Sequence, residues 1–538
     1  MEKAAGFSIR SYAFWAGPIL ALALMAFGGQ VAQAAEFGDT LEVRGLYRME
    51  TYFRTTDNDR TLFNPTTGLF YRQHNDHLMS QRNEFRLNIE WTPKTRNWAS
   101  WMPPMKFVAQ IRPWYDTDWL ISNEGQGRYS HQLTPFWSNN LQGPREDADP
   151  LFREYYVDIS PPHFFFRLGK QIIAWGKSDG VYMLDILNPF NLRNPTIFEE
   201  ENIKIPVWAA NLNWQPTSSS NLQIIYMPQY FHHYWPGLRL EGGLPQEGRY
   251  HDWTYNIVGY FNDFYNGEFG FTVPVSVHKP STRPANSIVG ARWSDSKYGV
   301  NYTLNYLYTY TPSLIDFANT GSFLTVTQVN RQPHRMHVAG FSADYAVDIG
   351  NPWLDGTVWR IETSETVGDQ YYQGLVGNPR YTSHWGVLMG LDKTVLSDYL
   401  ERPVFASFQY WHDLVTNSPS CAPAGCSFDP SGHDSNEHDF QDLGFNGHTS
   451  GMRGRYKSLV TGYFSKTWLQ GDTVITELFA LYELQFHDWW IRPKVTYKYN
   501  DQTTVALGFN IFAGGSETPY GEFTKNTNGF IELRRLLF

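Results

Sequence analysis

Between Leu41 and Arg54 the chain alternates with a period of two, which restricts it to a β-strand with one apolar face. Leu41, Val43, Gly45, Tyr47, Met49, Thr51 and Phe53 hold one phase, and Glu42, Arg44, Leu46, Arg48, Glu50, Tyr52 and Arg54 the other. Successive strand side chains point to opposite faces, so one face is apolar or small and the other mostly charged. Phe85, Leu87, Ile89 and Trp91 repeat the pattern against Glu84, Arg86, Asn88 and Glu90. A soluble sheet would lay the apolar face on a core. A transmembrane barrel would turn it to lipid and turn the charged face to a watery interior. One strand does not separate the two readings.

The set of strands does. Further candidates lie at 106–112, 152–160, 164–174, 205–215, 221–230, 287–293, 299–310, 335–348, 356–366, 384–394, 403–413, 458–468, 473–484, 489–499, 503–512 and 526–538. The total is about 18 strands (16–18), most of them near the roughly 9–11 residues that a tilted strand needs to cross a bilayer. Their connections alternate. Segments 55–79, 113–151, 176–204, 231–286, 312–334 and 414–457 are long, whereas 161–163, 216–220, 294–298, 469–472 and 500–502 are short. One late hairpin, 485–488, is short on the long side. Outer-membrane barrels pair short periplasmic turns with longer extracellular loops, and a soluble sandwich gives no reason for the alternation. The expectation is an all-β fold: a transmembrane antiparallel up-and-down β-barrel occupying 35–538 as one domain. An even strand count would leave both termini periplasmic.

Composition points the same way. Aromatic residues make up 17% and charged residues 18%, against roughly 25% charged in ordinary soluble domains. Beyond residue 34 no apolar run is long enough for a membrane helix, so the aromatic excess fits the girdles of a barrel. A large secreted sugar-binding or sugar-cleaving β-protein is the main rival. A net charge of −10 with no basic cluster disfavours nucleic acid as a partner. Lys3 and Arg10, an apolar stretch over 12–27 and Ala32-Gln33-Ala34 read as a signal peptide cut after Ala34, with an uncleaved anchor as the alternative. Residues 1–34 are therefore expected to be removed. Cys421 and Cys426 enclose a short Pro- and Gly-containing stretch and are expected to form a loop-tip disulfide, permitted by periplasmic passage. The chain ends on Phe538, with Leu536 and Phe530 in its phase and Arg534 and Glu532 interrupting. That is a partial match to the terminal signal read by barrel-assembly machinery, an expected partner alongside outer-membrane lipid and lipopolysaccharide.

In a barrel of this size, function lies in lumen-facing side chains and infolded loops. The pore-lining candidates are Glu42, Arg44, Arg48, Glu50, Arg54, Glu84, Arg86, Glu90, Arg112 and Arg167. Arginines favour anions, and facing glutamates create a transverse field that sorts polar solutes. The same charges could instead pair across strands and stabilise the wall. The densest stretch runs from Arg167 through Gly169, Trp175-Gly176 and Gly180 to Asp185, Asn188-Pro189 and Arg193. Segment 176–204 is expected either to fold inward as a constriction, with Lys177, Asp179, Asp185, Asn188 and Arg193 near it, or to be an external loop fixed by Asn and Asp turns.

Two stretches carry a resemblance. Leu168-Gly169-Lys170-Gln171, Trp175-Gly176, Asp179-Gly180, Asp185 and Asn188-Pro189 form the first; Arg492-Pro493-Lys494-Val495-Thr496-Tyr497 with Gly508-Phe509-Asn510-Ile511-Phe512 form the second. Both resemble the outer-membrane barrel family called domain of unknown function 1302, which looks related in architecture to the alginate-export porin. The resemblance implies transport, with an exporter or another periplasmic protein as a possible partner, and names no solute. The mixed signs of the lumen candidates argue against a purely polyanion-selective pore.

The acidic, His-containing segment 421–448 could hold Ca²⁺, although it lacks an ordered Asp-x-Asp-x-Asp-Gly spacing, and a solvated loop is the default. No metal and no cofactor are expected; a Cys-x-x-Cys-His haem site is absent. Nor is there a Gly-x-Ser-x-Gly elbow, a His-Glu-x-x-His helix or a phosphate loop, so no catalytic residue is assigned. The expected function is passage of polar solutes across a Gram-negative outer membrane. Polymer export, uptake of hydrophobic compounds and a sheath around a cytochrome remain as alternatives.

Overall fold

The computed structural model describes residues 35–37, 40–55, 60–64, 69–73, 78–116, 151–178, 180–191, 203–233, 238–241, 244–247, 275–312, 315–318, 329–351, 354–371, 380–397, 400–416, 456–515 and 520–538. Eighteen antiparallel strands close into one barrel. In chain order they are β1 (Leu41–Arg54), β2 (Leu78–Trp91), β3 (Met105–Ile111, resuming at Trp114–Asp116), β4 (Phe152–Ile159), β5 (Phe164–Gln171) and β6 (Val207–Trp214). Then come β7 (Asn221–Met227), β8 (Ile288–Lys297), β9 (Val300–Tyr310), β10 (Arg335–Ala346), β11 (Thr357–Tyr371) and β12 (Arg380–Ser397). The last six are β13 (Leu400–Val415), β14 (Tyr456–Trp468), β15 (Val474–Glu483), β16 (Asp488–Asn500), β17 (Thr503–Ala513) and β18 (Asn528–Leu536). Each pairs with its neighbours in sequence, and β18 closes on β1 from Leu46↔Leu536 to Arg54↔Asn528.

Closure satisfies the edge hydrogen bonds that an open sheet would leave bare. The alternation read from β1 sets which side faces out. Val289, Leu304, Tyr306, Trp359, Ile361, Trp385, Met389, Phe408 and Leu507 stand exposed on the outer surface. Their neighbours one residue along, such as Thr303, Asn305, Glu362, Ser407 and Gln409, are buried on the inner side. Ring pairs thicken the outer surface, for instance Tyr155 edge-on to Trp208 at 5.0 Å and Trp91 stacked on Phe107 at 5.1 Å.

Short turns gather at one end. β8 and β9 are joined by Tyr298 (φ 55°) and Gly299 (φ 78°), the left-handed pair that matches strand twist in a two-residue hairpin. Segments 160–163, 215–220 and 501–502 lie at the same end, as do Ala35 and Leu537. Several strands outrun the sequence-based bounds: β11 extends to Tyr371 and β12 starts at Arg380. β5 is shorter than expected and stops at Gln171 instead of 174. At Gly169 (φ 140°) a Cβ would lie 2.3 Å from the Tyr155 carbonyl oxygen, so the backbone presses on β4 just before it leaves the wall. The terminal phase also differs from expectation. Phe530 points inward, 2% exposed, with its ring 5.6 Å from that of Tyr52, while Ile531 faces out. Phe538 lies against the Cα of Gly45, where a Cβ would meet the ring at 2.8 Å. The signal segment, Cys421 with Cys426, the acidic segment 421–448, Asp179 and Arg193 lie outside the described residues.

Candidate functional site: the barrel interior

Each pore-lining candidate whose side chain is described shares the inner phase. On β1, Arg48 lies 2.7 Å from Glu50 and 3.3 Å from Glu532 of β18. On β2, Glu84 is 4% exposed on its side chain and draws in Arg82 at 3.2 Å, Arg86 at 2.9 Å and Arg112 at 3.8 Å. Arg167 makes a bidentate contact with Asp158 at 2.7 and 2.9 Å and stacks over Tyr156. Toward the short-turn end Arg44 pairs with Glu42, and Lys106 with Glu90 at 2.5 Å. Arg54 is the last residue of β1. The charges thus pair along and across the strands on the face where they line the interior.

The segment after β5 does not stay at the rim. Trp175 donates its indole N–H to Gln223 of β7 at 2.8 Å and presses on Gly290 of β8, where a Cβ would lie 2.8 Å from the ring. A Cβ on Gly340 of β10 would sit 2.2 Å from Leu184, and Met183 packs on Gly386 of β12. Val181 rests on a cluster formed by Leu459, Phe479, Leu481, Trp490 and Phe512 of β14–β17. Tyr182 packs with Tyr52 of β1 and Phe530 of β18. β18 and β1 lie opposite β9 and β10 in a closed ring of this order. Ten residues, 175–184, thereby touch inner walls on opposite sides of the barrel.

Two features hold the segment there. The first is an apolar core inside the lumen. Ile173, Trp175 and Leu187 pack on Val207, Ala209, Ile225, Met227, Ile288, Leu307, Met336 and Val338, all inward-facing and buried. Burying side chains of this size stabilises by roughly 2 kcal/mol each. The second is a polar scaffold. Asn188, fully buried, accepts from the Ile173 amide at 2.7 Å and donates to the Ile205 carbonyl at 2.8 Å. Asp185 accepts the Trp175 amide at 3.1 Å and pairs with Lys204, whose carbonyl takes a 2.8 Å bond from Arg153. His233 Nδ1 accepts the Phe190 amide at 2.8 Å. Gly176 (φ 87°) brings the backbone against Glu362, which accepts the Lys177 amide; the Lys177 carbonyl accepts from Arg360 and its ammonium pairs with Asp344.

The motif residues Gly169, Trp175, Gly176, Asp185 and Asn188 are therefore the ones that bend, anchor and fill this inward segment. The sequence reading missed its receptor wall. Val207 and Ala209, Ile225 and Met227, and Met336 and Val338 lie in strands whose inner phase turns apolar. That local loss of alternation, visible in Ile224-Ile225-Tyr226-Met227, was the available signal.

No group of three or more acidic, His or Cys side chains suited to a metal ion occurs among the described residues. Ser458 Oγ lies 2.8 Å from His412 Nδ1, but Ser458 is 4% exposed, which leaves a substrate little access.

The family model described as protein of unknown function (DUF1302) matches residues 15–374. The chain belongs to this family. Among solved structures it is similar to OccAB1 of Acinetobacter baumannii, at 8% identity over 94% of this chain and 99% of that one, with a TM-score of 0.43. It is also similar to OccK3 of Pseudomonas aeruginosa, at 8% identity over 92% and 94%, with a TM-score of 0.41. The outer membrane channel DcaP of A. baumannii matches at 8% identity over 94% and 99%, with a TM-score of 0.37. No curated protein matches the sequence.

Proposed function

We propose that this DUF1302 protein is a Gram-negative outer-membrane channel for small polar solutes, its lumen narrowed by residues 172–191. The carrying observation is the inward segment, which rests on both sides of an interior lined with charged and amide side chains. The apolar outer surface suits lipid, and a barrel of 16–18 strands is wide enough for an aqueous channel. A solute passing the segment meets the Glu84 cluster with Arg82, Arg86 and Arg112, and the Arg48–Glu50 pair. Guanidiniums and carboxylates held on the wall favour polar solutes over apolar ones. In this reading the short-turn end and both termini face the periplasm, residues 1–34 are cleaved, and Cys421–Cys426 closes an external loop tip.

The test is single-channel conductance in planar bilayers, comparing the mature chain with a variant in which 177–194 is replaced by a short Gly/Ser linker. Conductance is expected to rise at least twofold in the variant. An unchanged value would remove the segment from the permeation path, and a mature chain that never conducts would refute the channel reading itself.

A further inference from the structure

Beside the inward segment, on the inner wall of β6–β8, lies a polar cavity of about 290 Å³. Its wall includes Asn211, Asn213, Asn221, Gln223, Arg292 and Ser294, and residues 172–174 close one side. The amides form a relay. Asn213 and Gln223 both donate to Asn211 Oδ1, at 3.0 and 3.1 Å, and Asn221 donates to Asn213 Oδ1 at 3.1 Å. Gln223 Oε1 is taken by the Trp175 indole. The side-chain oxygens of Asn211, Asn213 and Gln223 are thus engaged, and Asn221 Oδ1 is left without a hydrogen-bond partner. Each NH₂ group carries two hydrogens and spends at least one, so the relay keeps spare donors beside that one open acceptor.

Arg292 differs from four of the inner-wall arginines. Arg48, Arg86, Arg167 and Arg360 each touch a carboxylate. Among the described residues no carboxylate lies within ion-pair distance of Arg292; its one hydrogen bond there is a long 3.4 Å contact to the Ala174 carbonyl, and its Nε has no partner. Of the acidic groups whose field reaches it, Asp185 pairs with Lys204, and Glu362 accepts the Lys177 amide through one oxygen. A guanidinium fork with a free edge matches a planar carboxylate, to which it donates two parallel bonds.

We propose that this cavity is a binding site for a small hydroxylated monocarboxylate, held by Arg292 through its carboxylate and by the Asn/Gln relay through its hydroxyls. The volume corresponds to roughly ten waters at about 30 Å³ each, which suits a single short-chain organic acid. One cation on the wall matches one negative charge. The proposal rests on the channel reading for its role, but the site can be measured without it.

Sodium gluconate is the probe and glucose its neutral counterpart. Calorimetric titration of the detergent-solubilised mature chain is expected to show saturable gluconate binding and none for glucose. Arg292→Gln should weaken gluconate at least tenfold. Asn213→Leu, which keeps the charge and removes relay donors, should weaken it several-fold; it also serves if Arg292→Gln fails to fold. In bilayers gluconate should reduce chloride current in the wild type and lose this effect in Arg292→Gln. Binding without any conductance would refute the channel and leave the site standing. Conductance with no gluconate binding, equal glucose binding, or binding unaltered by both substitutions would overturn the site.

Discussion

At the residue scale, Glu84 holds together three guanidiniums on the inner wall of β2 and β3. Removing one partner from a buried ionic group is costly because it leaves charge uncompensated. Glu84→Gln is expected to destabilise the folded barrel by on the order of 3 kcal/mol, read as a lower midpoint in guanidinium unfolding followed by tryptophan fluorescence. It should also raise the anion preference measured as reversal potential in a salt gradient, since Arg82, Arg86 and Arg112 keep their charge. Gly340 acts through space alone. Its missing Cβ is what admits Leu184, so Gly340→Leu should dislodge the inward segment while the outward pattern of β10 is preserved. The expected readout is a larger, noisier conductance with an unchanged β-sheet circular dichroism spectrum; an unaltered conductance would contradict the close approach.

The inward segment is the element whose behaviour follows least from propensity. It has almost no regular secondary structure, yet its backbone groups are satisfied by side chains at fixed points: Asn188, Asp185, Glu154 and Glu362 each accept a main-chain N–H. Losing the hydrogen bonds of a buried Asn costs about 1–3 kcal/mol per unmet group. Asn188→Ala should therefore loosen the segment without opening the barrel. Faster limited proteolysis within 172–205 of the folded protein checks this, and wild-type resistance would show that the apolar packing suffices alone. The strands around it divide into two kinds. β1 and β2 keep a charged inner phase, whereas β6, β7 and β10 turn apolar inside where Trp175, Ile173 and Leu187 settle. Alternation fails where the lumen holds protein instead of water.

For the whole molecule, the closed ring places the short turns, except the one joining β15 to β16, and both described chain ends at one end. In a background lacking Cys421 and Cys426, Ser281→Cys at the long-loop end should react with an impermeant maleimide on intact cells. Ser218→Cys, in the turn between β6 and β7, should react only once the outer membrane is opened. The reverse pattern would invert the proposed orientation.

Strand number, the outward phase and the alternation of long and short connections were legible in the sequence, because a strand's two faces are written directly in its period of two. The Glu84 and Arg48 groupings were half legible: Glu532 reaches Arg48 only through closure of the ring, whereas Arg82, two residues from Glu84 on the same strand, was readable from the sequence and was missed. The crossing of residues 175–184 was not legible. It depends on small inner-wall residues such as Gly290 and Gly340 meeting large side chains that are distant in sequence, and on an apolar patch assembled from five strands. The unpaired state of Arg292 was equally invisible, since whether a charge finds a partner is decided by which strands the closed barrel brings side by side.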